Sequence, residues 1–206
     1  GQTVLAPKLY LAKNDVTSLD GSVIKGNSVE LDGGRSLNSN STILANNDLY
    51  IGSWSSIDNL NAGKITSGGM LDMIAIDDIN NIGSTIRGQQ VSLDSIDGSI
   101  VNRTETEQWS VSGNTMNSGL SSKNQTVAFS QTEVGNIASI QSEGSLSLSA
   151  GKNIDLIASE VMTEKGPLSL SAGQDINILA VEQSKSTQFG KNKTEAQGAL
   201  SSSLVS

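Results

Sequence analysis

The chain has 206 residues, 13 basic against 21 acidic for a formal charge of −8, and neither His nor Cys. Without His it lacks the usual general base and the commonest transition-metal ligand, and without Cys it has no zinc-thiolate site, thiol nucleophile or disulfide. An acidic chain with no basic patch cannot offset phosphate repulsion, so nucleic acid is not an expected partner.

Aromatic residues make up 3% of the chain, and the apolar residues are almost all aliphatic, which argues against a wide aromatic core. No apolar run approaches the roughly 18 to 20 residues that cross a bilayer, so the chain is not expected to span a membrane. It opens without a basic-then-apolar leader and reads as an internal fragment.

Apolar pairs at alternate positions recur along the chain as Leu9/Leu11, Val29/Leu31, Leu49/Ile51, Leu71/Met73, Val91/Leu93, Leu146/Leu148 and Leu168/Leu170. Alternation is a strand signal, and the steps of 20, 20, 22, 20 and 22 residues, broken by one jump of 55, are a solenoid signal. An upstream column holds Val4, Ile24, Leu44, Ile65, Ile86, Ile140 and Met162, and a downstream one Leu37, Ile57, Ile79, Ile154 and Ile176. Three short apolar segments per repeat predict an all-β fold, a parallel β-helix of three-strand coils of 20 to 22 residues, about seven in all, with Gly and Asn or Asp at the corners. A β-sandwich also uses short alternating strands, but the fixed step argues against it.

The whole chain, 1–206, is thus expected to be one β-helical unit with two departures. The jump of 55 leaves an excursion over 102–136, read as a hairpin from Thr126-Val-Ala-Phe129. Residues 182–206 are read as the start of a second excursion or a frayed tail, because Trp109 and Phe189 each follow a coil-closing Val by eight residues.

The segments Gly144-Ser-Leu-Ser-Leu-Ser-Ala-Gly-Lys-Asn-Ile-Asp-Leu-Ile-Ala158 and Gly166-Pro-Leu-Ser-Leu-Ser-Ala-Gly-Gln-Asp-Ile-Asn-Ile-Leu-Ala180 resemble haemagglutinin repeats of the filamentous haemagglutinin family of two-partner secretion exoproteins. That family includes adhesins, haemolysins and the toxin-delivery proteins of contact-dependent growth inhibition. The resemblance is weaker over Val4 to Val101, where corners such as Gly33-Gly34 and Ser53-Trp54 depart from the pattern. It implies a right-handed coil, export by an outer-membrane partner and display on a Gram-negative cell surface. A protein or glycan receptor on a host or neighbouring cell is the partner it implies for the full-length protein.

No catalytic, cofactor or metal residues are expected, and the fragment is expected to be a monomer without enzymatic activity. Residues singled out for partner contact are Tyr10 and Tyr50, which should point outward, Trp54 at a corner with Ile76 and Ile96, and Trp109, Phe129 and Phe189 in the excursions. The corner column is expected to lie under the excursion, and the three excursion aromatics to pin it to the rod. Asp77, Asp78, Asp94 and Asp97 gather on consecutive coils, where a solvated corner is weighed against calcium binding or the paired carboxylates of a pectin-lyase-like enzyme. Asn40, Asn102, Asn124 and Asn192 head Asn-x-Ser/Thr sequons. The reading as a whole is a structural stalk and interaction segment of a large secreted exoprotein, with the β-helical polysaccharide-degrading enzyme as its alternative.

Overall fold

A computed structural model describes residues 21–115, 125–189 and 191–206. The chain winds into coils of three short strands. The first coil is β1 (Val23–Gly26), β2 (Val29–Gly33) and β3 (Ser36–Ser39), and the second β4 (Thr42–Ala45), β5 (Leu49–Ser53) and β6 (Ile57–Leu60). Next come β7 (Lys64–Ser67), β8 (Met70–Ala75) and β9 (Ile79–Ile82), then β10 (Thr85–Gly88), β11 (Gln90–Ser95) and β12 (Ile100–Arg103). Here the chain leaves the rod as β13 (Thr106–Thr115) and β14 (Gln125–Val134). It re-enters through β15 (Ser139–Ser142), β16 (Leu146–Ala150) and β17 (Ile154–Ile157), followed by β18 (Glu160–Thr163), β19 (Leu168–Ala172) and β20 (Ile176–Leu179). A second departure, β21 (Val181–Phe189) and β22 (Asn192–Leu200), ends on β23 (Ser203–Val205), which rejoins the rod beside β18.

Equivalent strands stack in parallel into three faces of seven, six and six strands. This is the solenoid that the spacing predicts. Val29, Leu49, Leu71, Val91, Leu146 and Leu168 follow one another in register on the second face, as the alternating pair requires. Their side chains, with Ile57, Ile79, Ile100 and Ile154 from the third face and Ile43, Ile65, Ile86, Ile140 and Val161 from the first, fill one aliphatic core. Burying each of these contributes roughly 1.5–3 kcal/mol relative to exposure.

Three members of the predicted columns are displaced by one residue. Ile43 and Val161, not Leu44 and Met162, hold the first-face register, and Ser36 rather than Leu37 pairs with Ile57. Leu37 is consequently 55% exposed. A slip of one residue carries a side chain to the opposite face of a strand. Ile100, absent from the predicted column, takes its place between Ile79 and Ile154.

The corner from the third face back to the first needs a left-handed residue. Asn40, Asn61, Ala62, Gly83 and Ala158 all have positive φ there. At the equivalent register Thr104 and Ala180 do not, and these are the two corners where the chain departs. Backbone at positive φ is costly for a β-branched residue such as Thr, so the first of these departures agrees with its local sequence.

Candidate functional site

The rod's interior holds a column that is polar. Asn38, Asn59, Asn81 and Asn102 point inward from β3, β6, β9 and β12 and are all buried. Each side-chain amide donates to the next carbonyl oxygen, Asn38 Nδ2 to Asn59 Oδ1 at 2.8 Å, Asn59 to Asn81 at 2.8 Å and Asn81 to Asn102 at 2.7 Å. The same amides also donate to main-chain carbonyls at the corner, among them Ser41, Thr85, Ser84 and Glu160. One more coil on, Leu156 replaces the amide. The ladder fixes register, and it makes Asn102 a core residue and not an accessible sequon; Asn40 and Asn192 are exposed, and Asn124 lies outside the described residues.

The base of the first excursion is closed by hydrogen bonds. Thr104 Oγ1 donates to the Ala158 carbonyl and accepts from Ala138 N at 3.1 Å, joining the chain where it leaves to the chain where it returns. Beside it Glu105 N donates to Asn136 O at 3.0 Å, Gly135 N donates to Glu105 O at 2.9 Å, and Asn136 Nδ2 donates to Glu105 Oε2 at 2.9 Å. Ser202 closes the second departure, donating to the carbonyls of Leu156 and Leu179 and accepting from Ser159 N. Residues 182–206 therefore do not break off partway through an excursion: they complete a hairpin and return.

Outside the rod the two hairpins join. β14 pairs with β21, Val127 opposite Phe189 through Gln131 opposite Lys185, so that β13, β14, β21 and β22 form one antiparallel sheet, here called the fin. Cross-strand register puts Trp109, Val111, Val127, Phe129, Lys185 and Phe189 on one fin face, and Ser110, Ser112, Ser130 and Ser186 on the other. The rings of Trp109 and Phe129 lie 5.0 Å apart, with Lys185 Nζ 5.8 Å from the Phe129 centroid. Phe189 is 58% exposed. Trp109 and Phe129 thus pack on each other within the fin. Trp109 shares its row with Gln131 and Lys185, not Phe189, because Val101 lies inside β12 whereas Val181 already begins β21.

Tyr10 lies outside the described residues. Tyr50 points outward from β5 between Glu30 and Asp72, and its ring folds over Gly52, where a Cβ would come within 2.9 Å of the phenol oxygen. Tyr50, Glu30 and Asp72 line a shallow groove with Asp48, Met70 and Leu49. Burial raises the Asp72 carboxyl above the ordinary value, a hydrogen bond from Ser92 opposes this, and the charge of Asp94 adds to it. Trp54, Ile76 and Ile96 do form a corner column, linked by Ile76 N to Ser53 O at 3.1 Å and Ile96 N to Ala75 O at 2.9 Å. That corner joins the second face to the third, whereas the fin leaves from the third face to the first, so the excursion does not cover it and Trp54 is 71% exposed.

Asp77 accepts from Ser55 Oγ at 3.1 Å and Asp78 from Ser99 N at 2.8 Å, while Asp94 stands on the second face. Among the described residues no group of three or more carboxylates is placed to hold a metal ion.

Known proteins are similar to this chain over most of its described length. A family model described as hemagglutinin repeat matches residues 117–204. The tRNA nuclease CdiA of Escherichia coli O6:K15:H31 is 49% identical over 161 residues, 78% of this chain and 5% of the relative. The 16S rRNA endonuclease CdiA of Enterobacter cloacae is 48% identical over 162 residues, 78% of this chain and 4% of the relative. The deoxyribonuclease CdiA of Dickeya dadantii is 38% identical over 162 residues, again 78% of this chain and 5% of the relative. No solved structure matches. These matches define a haemagglutinin-repeat β-solenoid of the filamentous haemagglutinin type. More narrowly, the chain is similar in sequence to a part of the CdiA proteins, of whose length the match spans about a twentieth.

Proposed function

We propose that this segment is a structural stalk of a large exoprotein secreted to the surface of a Gram-negative bacterium, and that it carries no catalysis of its own. The observation that supports this most is the spread of the relatives. Proteins named for cleaving tRNA, 16S rRNA and DNA share the segment at 38–49% identity, so what differs among them lies elsewhere in their chains. A rod whose length grows by about 4.8 Å per coil suits a spacer between a producing cell and its neighbour. In the full-length protein an outer-membrane partner would export the rod unfolded, and a receptor on the neighbouring cell would engage a part of the chain outside this segment or one of its outward surfaces. Exposed Trp54, Trp109 and Phe189 and half-buried Tyr50 and Phe129 are the side chains put forward for such contact, and Tyr10 remains a candidate on sequence grounds.

The test is in-frame removal of the segment from the full-length exoprotein. Inhibition of neighbouring cells in contact should fall while the nuclease activity of the same purified protein persists. Cleavage of tRNA, 16S rRNA, DNA or polysaccharide by the purified segment would overturn the reading.

A further inference from the structure

We infer that the free edge of β22 is a docking edge for the outgoing strand of a further excursion of the same polypeptide, so that the fin continues beside the rod as an unbroken antiparallel sheet.

The argument rests on matched spacings. β12, β17 and β20 are consecutive strands of the third face, and the chain departs after the first and the last of them, passing the Ala158–Ser159 corner without an excursion. β13 therefore leaves at one coil level, β14 returns one level on at β15, β21 leaves at the next, and β22 returns at the fourth, at β23. Strands within a sheet and coils within a solenoid are separated by the same hydrogen-bonding distance of about 4.8 Å. One fin strand thus stands at each coil level. Departures on consecutive coils would crowd two strands onto one level, and departures on every third coil would leave a gap one strand wide. Only alternate coils let neighbouring hairpins meet in pairing distance, and the β14–β21 ladder shows that they do meet.

The two edges of the fin are not equivalent. Beneath β13 the corners at Asn40, Asn61–Ala62 and Gly83 turn with no excursion, so β13 ends the sheet on that side. Above β22 the relation that joined β14 to β21 is free to repeat. The repeat-family match runs from 117 to 204, from within the first excursion through two coils to the return of the second. Tandem copies of such a unit place an excursion on every second coil. Relatives of which the match covers only 5% leave room for them. An incoming strand would stand beside Asn192, Thr194 and Ala196 on the Phe189 face and beside Lys193, Glu195 and Gln197 on the other. Alternate N–H and C=O groups of β22 supply its ladder.

Hydrogen–deuterium exchange on the full-length exoprotein tests this, with β13 as an internal control. The outward amides of Asn192–Leu200 should exchange about tenfold more slowly than those of Thr106–Thr115, since a paired amide opens far less often than one at an edge. Equal exchange of the two strands would overturn the inference. A second protein, with a copy of the plain coil 64–84 inserted after Ser202, moves the next departure one level away. Its β22 amides should lose their protection; if they keep it, some other strand covers the edge and the inference is wrong.

Discussion

The side-chain amide of Asn81 donates to Asn102 Oδ1 at 2.7 Å, one coil to the next, inside a core built mainly of Leu, Ile and Val. Asn81 also donates to the carbonyls of Ser84 and Ser139 and accepts from Asn59, whereas Asn102 is the last amide before Leu156. Asn81→Leu strands buried partners on both sides and should destabilise the rod by about 3 kcal/mol. Asn102→Leu leaves Asn81 its two main-chain acceptors and extends the aliphatic column, so its cost should be nearer 1 kcal/mol. Urea unfolding of the two variants checks the order.

Thr104→Val keeps the shape of the side chain and deletes one hydroxyl. The Ala158 carbonyl and the Ala138 amide then lose a partner at a site closed to water. A loss of about 2–3 kcal/mol follows, with faster amide exchange at the base of β13 and β14 before any other part of the rod. Unchanged exchange there would show that the Glu105–Asn136 clamp alone closes the excursion.

Asp72 makes stability depend on pH. Its folded carboxyl titrates above the unfolded one, chiefly through burial, so the folded state binds its proton more tightly. The stability this provides is complete below the unfolded value and disappears as pH rises through the folded one. Asp72→Asn should therefore raise the melting temperature at neutral pH and confer no advantage in acid. Melting curves of both proteins from pH 3 to 7 measure it, and a constant difference across that range would contradict the burial of the carboxylate.

Trp109→Ala removes the ring that packs on Phe129 and should cost the fin about 1 kcal/mol. Because Trp109 belongs to the fin and not to the rod core, the main unfolding transition should stay within about 0.5 kcal/mol. Calorimetry separates the two effects.

The rod was legible because on its second face each inward Leu or Val is followed by Glu, Tyr, Asp or Ser, so only one phase of the alternation buries aliphatic side chains. Where two apolar residues are adjacent, as in Ile43-Leu44 and Val161-Met162, alternation does not choose between them, and packing against neighbouring coils did. The amide ladder recurs at steps of 21, 22 and 21 residues, as regular as any aliphatic column, yet an Asn is not a core candidate until its partners are known. The joining of the excursions had no local signal at all. Val127 and Phe189 pair across 62 positions, and only the alternate-coil departure brings them together.

The ladders of all three faces run along the rod's long axis, because each coil bonds only to the coils before and after it. A pull on the two ends is therefore borne gap by gap in series, and the weakest gap yields first. Across the levels from β12 to β23 the fin adds a second load path beside the first, with five paired residues of β14 and β21 strained in the same direction. Under tension the plain coils should part before those that carry hairpins, which turns a decoration on the outside of the stalk into its reinforcement.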